Sequence, residues 1–216
     1  MITTNKLEID IISDVTCPWC IIGYQSLIEA IKELGMEDST VISWKAFQLN
    51  PNLPIEGQEI SEHIQQKYGA TAEQSAANRE HIKTRGTDVD YKFDFADNGR
   101  IYNTFDAHRL IHWAKEYGLQ TKLKLALFDL YFQQQGNPSN HSTLVKVAES
   151  VGLNPELSLE ILISDQFVAE VRHEIASSQQ KGIHSVPSFI FNNEMLVTGG
   201  HPKETFVNVI NDLQVK

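Results

Sequence analysis

The chain holds two cysteines in 216 residues, and both fall in one segment, Cys17-Pro18-Trp19-Cys20. Before them, Leu7 to Ile12 alternates apolar and polar residues and is rich in isoleucine, the pattern of a strand. After them, Ile21, Ile22, Leu27, Ile28, Ile31 and Leu34 recur at helical spacing, and Gly35 supplies a C-terminal cap. The pair therefore sits at a strand-to-helix junction, on the first turn of the helix. Residues i and i+3 of a first turn share one face, so their sulfurs can join and part without backbone movement. The reactive species is a thiolate. A helix N-terminus favours it through unpaired N–H groups and the positive dipole end, a field that Cys17 at the cap position meets most directly. Pro18 has no N–H to lose there and presets the helical φ. Cys20, one turn in, is expected to be the less exposed, resolving thiol.

Thr40 to Phe47 reads as a second strand, rich in β-branched and aromatic residues. Strand, helix, strand is a βαβ unit, whose right-handed crossover sets the two strands parallel. Asn50-Pro51-Asn52-Leu53-Pro54 breaks the pattern. From Ile60 to about Ala176 the chain reads as helices separated by Gly- and Pro-containing turns. The clearest are Ser61 to Tyr68, Ala72 to Thr84, Thr104 to Tyr117, Thr121 to Gln135 and Ser142 to Val151, with a short one opening at Asn154-Pro155. Tyr91 to Phe95 alternates but is short for a strand. A helix from about Phe167 to Lys181 leads to a strand at Ser188 to Phe191, a turn at Asn192-Asn193 and a strand at Met195 to Thr198. After Gly199-Gly200-His201-Pro202 comes a closing helix, Lys203 to Leu213, with Pro202 at its start. The expected class is α/β, a βαβ…αββα core at 1–52 and 166–216 split by a large all-helical insertion at 53–165.

A hydrophobic share of 41% with 21% charged residues is globular, which removes disorder, collagen and coiled coil as whole-chain descriptions. The net charge of −10 repels phosphate backbones and anionic lipid, so neither nucleic acid nor a membrane is an expected partner. No apolar stretch approaches the roughly 18 residues of a spanning helix, and Met1 to Asp14 carries no signal-peptide pattern. The expected location is cytoplasmic, where structural disulfides are disfavoured. Two rival readings of the cysteines remain open: half of a zinc site, and inert buried thiols. Zinc needs two more ligands, but no other Cys exists, and His108, His112 and His141 stand in no ligand spacing; no metal is expected. The strand-to-helix placement favours redox chemistry. Val186-Pro187 is a second feature, a Pro at the entry of the third core strand, where its missing N–H is tolerated.

Several pieces together resemble the thioredoxin superfamily, and more closely the DsbA-like thiol oxidoreductases of the FrnE-like branch. They are Asp14-Val15-Thr16-Cys17-Pro18-Trp19-Cys20 with Gly23, Phe47-Gln48-Leu49-Asn50-Pro51, Asn103-Thr104-Phe105-Asp106-Ala107-His108-Arg109-Leu110, Val186-Pro187-Ser188-Phe189 and Gly199-Gly200. The resemblance implies a thioredoxin-like core and a cis Val186–Pro187 bond packed against the cysteines. There the Val186 backbone would face an extended substrate segment. It also implies Cys17 as nucleophile and Cys20 as resolver, with Pro18 and the partly exposed Trp19 beside the substrate. The insertion would wall one side of the groove, with Asn103, Thr104 and His108 as candidates to line it and Arg109 a weaker one. For His108 and Arg109 the competing role is internal bracing of their helix.

The activity so implied is thiol–disulfide exchange on protein or small-thiol substrates, with no cofactor beyond the Cys17–Cys20 couple and glutathione as a candidate co-substrate. In a reducing compartment, reduction or isomerisation is the easier direction. The insertion architecture also resembles the 2-hydroxychromene-2-carboxylate isomerases and kappa-type glutathione transferases, which bind glutathione at the same helix end and generally lack the paired cysteines. Cys20 favours the dithiol reading. A third reading is a partner-binding or chaperone module with a vestigial site. Dimerisation fits this branch, with no sequence stripe that marks an interface.

Overall fold

A central strand, β1 (Leu7–Ser13), organises the core. It is flanked by β2 (Thr40–Ala46) running parallel and β5 (Ser188–Phe191) running antiparallel, with β6 (Met195–Thr198) beyond, giving the order β2-β1-β5-β6. The computed structural model describes residues 6–96 and 99–214; residues 1–5, part of the N-terminal stretch read above, lie outside the described residues, as do 97–98 and 215–216. Ile9 and Ile11 pair with Ile42 and Trp44 on one side and with Phe191 and Phe189 on the other. All six lie on one face of the sheet, the face that packs into the hydrophobic core. Asn192 and Asn193 take positive φ values of 49° and 56°, the conformation a two-residue hairpin needs. The Asn192 side chain accepts from Glu8 N at 2.9 Å while its backbone N donates to Glu8 O at 2.8 Å, fastening the hairpin to β1.

The βαβ half is closed by α1 (Pro18–Glu33), and α9 (Lys203–Gln214) packs beside it. Between the halves lie α2 (Ile60–Tyr68), α3 (Ala72–Thr87), α4 (Phe105–Ala114), α5 (Gln120–Phe132), α6 (His141–Ser150), α7 (Pro155–Ile163) and α8 (Val168–Gln180). The insertion is not all helical: β3 (Gln58–Glu59) and β4 (Arg100–Ile101) pair antiparallel, fixed by Arg100, which donates to Glu56 O and Gly57 O. Tyr91, Phe93 and Phe95 form no strand. Their rings instead build an aromatic cluster, with Phe93 edge-on to Phe132 at 5.2 Å. α5 stops short of the expected Gln135 because Phe132 O accepts from Asp94 N and Gln135 turns to a φ of 56°.

The outer edge of β2 is covered by side chains. Gln120 accepts from Trp44 N at 2.9 Å and donates to Trp44 O at 3.2 Å, imitating a strand. Glu174 accepts from Ala46 N at 3.1 Å. These bonds satisfy an otherwise open sheet edge and hold α5 and α8 against the end of the core that carries the cysteines.

Candidate active site

Cys17 is the N-cap of α1, with extended backbone at φ −97°, and Pro18 is the first helical residue. The turn entering the helix is closed by Cys17 N to Asp14 O at 3.2 Å, and Cys20 N donates to Cys17 O at 3.1 Å. Both cysteines are free thiols. Cys20 is fully buried, whereas Cys17 retains 4% of its surface and opens on a cavity. Its Sγ lies 3.7 Å from Val186 O. The Val186–Pro187 bond is cis, and Pro187 O accepts from Gly199 N at 2.8 Å.

Two glycines permit this packing. A Cβ on Gly23 would stand 3.0 Å from Phe189 Cζ and 3.3 Å from both Pro187 Cγ and Gly200 Cα. A Cβ on Gly200 would stand 3.0 Å from Trp19 O. The motif glycines thus let α1, the Pro187 loop and the Gly199-Gly200 turn approach one another.

Beneath the thiols lie three buried ionisable groups from separate elements: Asp14 before the helix, His108 on α4 and Lys124 on α5. Asp14 Oδ2 accepts from Leu49 N at 2.7 Å, and Oδ1 stands 3.5 Å from Thr16 N and 3.6 Å from His108 Nε2. Lys124 Nζ reaches Ser13 O at 3.5 Å and lies over the rings of Phe128 and Trp44 at 5.0 and 5.4 Å. Burial pushes Lys124 down to about 8, against the pull of Cys20, Asp14 and Cys17. Burial likewise pushes His108 down, although Asp14 opposes it. Burial would raise Asp14, but His108 and Leu49 N more than offset it and the carboxyl sits below its ordinary value.

The two thiols stand close enough to titrate as a pair. Burial raises Cys17, and the neighbouring Cys20 sulfur and the Asp14 carboxylate add to that, so it stands well above an ordinary thiol. Burial also acts on Cys20, but the neighbouring Cys17 and Ser13 groups and the Lys124 charge outweigh it, and Cys20 falls. The helix N-terminus that the sequence reading placed at Cys17 is there, with Pro18 as the first helical residue.

Of the residues expected around the thiols, Pro18, Trp19 and Val186 line the cavity with Cys17. Asn103 does not, which corrects that expectation. It accepts from Gln48 Nε2 and Phe105 N and donates to Pro51 O and Leu53 O, tying the loop after β2 to the start of α4. His108 and Thr104 are buried rather than groove-lining. Arg109 is braced internally, donating to Gln166 O at 2.8 Å, to the carbonyls of Ile161 and Ser164, and to Asp106. Lys124 went unread in the sequence, though it interrupts the apolar stripe of Leu123, Leu127 and Phe128 on one helix.

The DSBA-like thioredoxin domain matches residues 8–211. The chain belongs to that family. It is 25% identical to the uncharacterized protein YwbO of Bacillus subtilis over 212 residues, 97% of this chain and 98% of that one. Its structure is similar to that of a probable DsbA oxidoreductase from Streptomyces coelicolor, with a TM-score of 0.92, 25% identity and coverage of 97% and 91% of the two chains. It shares the fold of the cytosolic disulfide reductase DsbM from Pseudomonas aeruginosa, solved with GSH, at a TM-score of 0.67, 12% identity and coverage of 96% and 99%. The family is one of thiol–disulfide oxidoreductases. Among the described residues no helix is long and apolar enough to cross a membrane.

Proposed function

We propose that this protein carries out thiol–disulfide exchange through the Cys17–Cys20 couple, in the direction of disulfide reduction or isomerisation, in the cytoplasm. The observation that carries the reading is a buried pair of free thiols at a helix N-terminus, one of which opens on a cavity beside the Val186 carbonyl. In the reducing half-reaction, the Cys17 thiol gives its proton to water and the Cys17 thiolate attacks the nearer sulfur of a substrate disulfide. A Cys17–substrate disulfide forms, the substrate S–S bond breaks, and the leaving thiolate takes a proton from water. Cys20, whose ionisation Ser13 and Lys124 favour, then attacks the Cys17 sulfur and passes its proton to the departing substrate sulfur. The second substrate thiol leaves and the Cys17–Cys20 disulfide remains. The substrate has gained two electrons and two protons. A second thiol, glutathione among the candidates, restores the dithiol by the reverse steps.

Cys20 supports this reading over a glutathione transferase or isomerase, which needs no resolving thiol. Pro187, with no backbone N–H and no side-chain ligand, supports exchange over metal capture. Pro18, Trp19 and Val186 are the residues assigned to substrate contact. The test is insulin reduction and scrambled-ribonuclease refolding with Cys17→Ser. Activity is expected to fall to the uncatalysed rate, and undiminished activity would remove the assignment.

A further inference from the structure

Cys17 opens on a cavity of about 660 Å³, a volume in the range of small-molecule sites. One wall of that cavity is α2, whose Ile60, Ile64 and Tyr68 recur at i, i+4 and i+8 and all line it. The apolar stripe of a surface helix ordinarily packs on the core. Here it borders the cavity, and His63 is the one buried residue of the nine in α2. A helix with so little buried surface is drawn from the low-stability end of a fold, so its position depends on how its ends are tied.

The two ends are tied differently. At the N-terminal end β3 pairs with β4, the Glu59 carboxylate accepts from Ser61 N and Glu62 N, and Ile60 N donates to Gly99 O at 2.9 Å. At the C-terminal end Lys67 Nζ donates to Leu49 O at 2.9 Å and to Asn50 Oδ1 at 2.7 Å. Among the described residues, Lys67 is the only residue of α2 whose side chain hydrogen-bonds outside residues 58–68. Its two acceptors belong to the loop after β2, which Asp14 fixes by accepting from Leu49 N at 2.7 Å. Leu49 and Asn50 line the same cavity as Cys17. α2 is thus hinged at β3–β4 and latched by Lys67 to the rim of the thiol site.

We propose that Lys67 is a specificity-determining residue for the exchange reaction. With its two bonds made, α2 lies across the approach to Cys17 and admits disulfides small enough to enter the cavity. With them broken, α2 swings about its β3–β4 end and admits a disulfide carried on polypeptide. The proposal rests on the exchange reading and adds its control of substrate size. Two hydrogen bonds from an exposed ammonium are a modest restraint, so the latch slows large substrates without excluding them.

The test reads access to Cys17 without redox chemistry. Cys20→Ser protein, in which Cys17 is the one thiol, is alkylated with two uncharged reagents. One is N-ethylmaleimide; the other is a maleimide mounted on a central side chain of a neutral, cysteine-free peptide. Each rate is normalised to that with free cysteine. Lys67→Met keeps the aliphatic stem but cannot donate. In that variant the peptide reagent is expected to react about three- to tenfold faster, the worth of one or two exposed hydrogen bonds, with N-ethylmaleimide unchanged. Asn50→Ala, which removes one acceptor, should move the peptide rate the same way by less. Equal acceleration of both reagents in Lys67→Met, the mark of altered Cys17 acidity and not of access, would overturn the proposal. So would an unchanged peptide rate in that variant, a peptide rate equal to that of N-ethylmaleimide before Lys67 is changed, or failure of N-ethylmaleimide to react. No disulfide takes part, so retained turnover in Cys17→Ser would sink the exchange reading while leaving this result standing.

Discussion

Lys124→Met isolates the strangest group in the core, an ammonium held among Trp44, Phe128 and the cysteines. Its displacement from 10.5 to about 8 corresponds, at about 1.4 kcal/mol per tenfold change in proton affinity, to about 3 kcal/mol of native stability forgone at pH 7. The sign follows from proton binding. Between about pH 8 and 10.5 the unfolded chain keeps a proton that the native chain has released, so the wild type gains stability as pH rises through that window. Below it the penalty is complete. Methionine removes the charge and nearly fills the space. Asp14 does not depend chiefly on Lys124, since His108 and Leu49 N act on it more strongly. Urea unfolding of the oxidised protein, in which neither sulfur titrates and neither draws Lys124 back up, should therefore find Lys124→Met more stable at pH 7. The gain is about 3 kcal/mol or more, less whatever the contacts with Ser13 O and the two rings contribute. The gap should close as pH approaches 10.5. In the reduced protein the same change removes a cation from beside Cys20 and should raise the first ionisation of the pair, read from alkylation rate against pH. A variant less stable than wild type at pH 7, with a pH-independent gap, would refute the reasoning.

Gly23→Ala places a methyl 3.0 Å from Phe189 and 3.3 Å from Pro187; a loss of about 1–3 kcal/mol is expected, measured by urea midpoint, with slower exchange because the Pro187 loop must withdraw. Asp14→Asn keeps an acceptor for Leu49 N but removes the carboxylate that raises Cys17. Alkylation of the reduced protein at pH 7 should accelerate roughly two- to tenfold. Since the Asp14 carboxyl sits below its ordinary value, its stability contribution is present above about pH 4 and lost as pH falls through the folded value. The stability deficit of Asp14→Asn should shrink in acid accordingly.

The core was legible because its signals are local. Alternation in Leu7–Ile12, helical spacing after Cys20 and the Asn192-Asn193 turn each report on a handful of neighbours, and the structure places β1, α1 and the β5–β6 hairpin there. The cysteine pair was legible for the same reason. What lies beneath it was not. Asp14, His108 and Lys124 come from three elements up to 110 positions apart in sequence (Asp14 to Lys124), and only tertiary packing brings them under the thiols. The Asn103-to-Arg109 segment was read as groove lining because its residue types suit a site; its side chains are consumed by carbonyls of neighbouring loops instead. β3 and β4 escaped notice because two-residue strands carry no periodicity.

The division of labour between the two sulfurs is tested most directly by trapping. Cys20→Ser protein, reduced and exposed to an excess of a disulfide substrate at pH 7, is followed by peptide mass mapping. A stable mixed disulfide on Cys17, formed with one substrate half per chain, is the expected result, with no such adduct in the wild type after the same time. An unmodified Cys17 in natively folded Cys20→Ser protein would contradict the account.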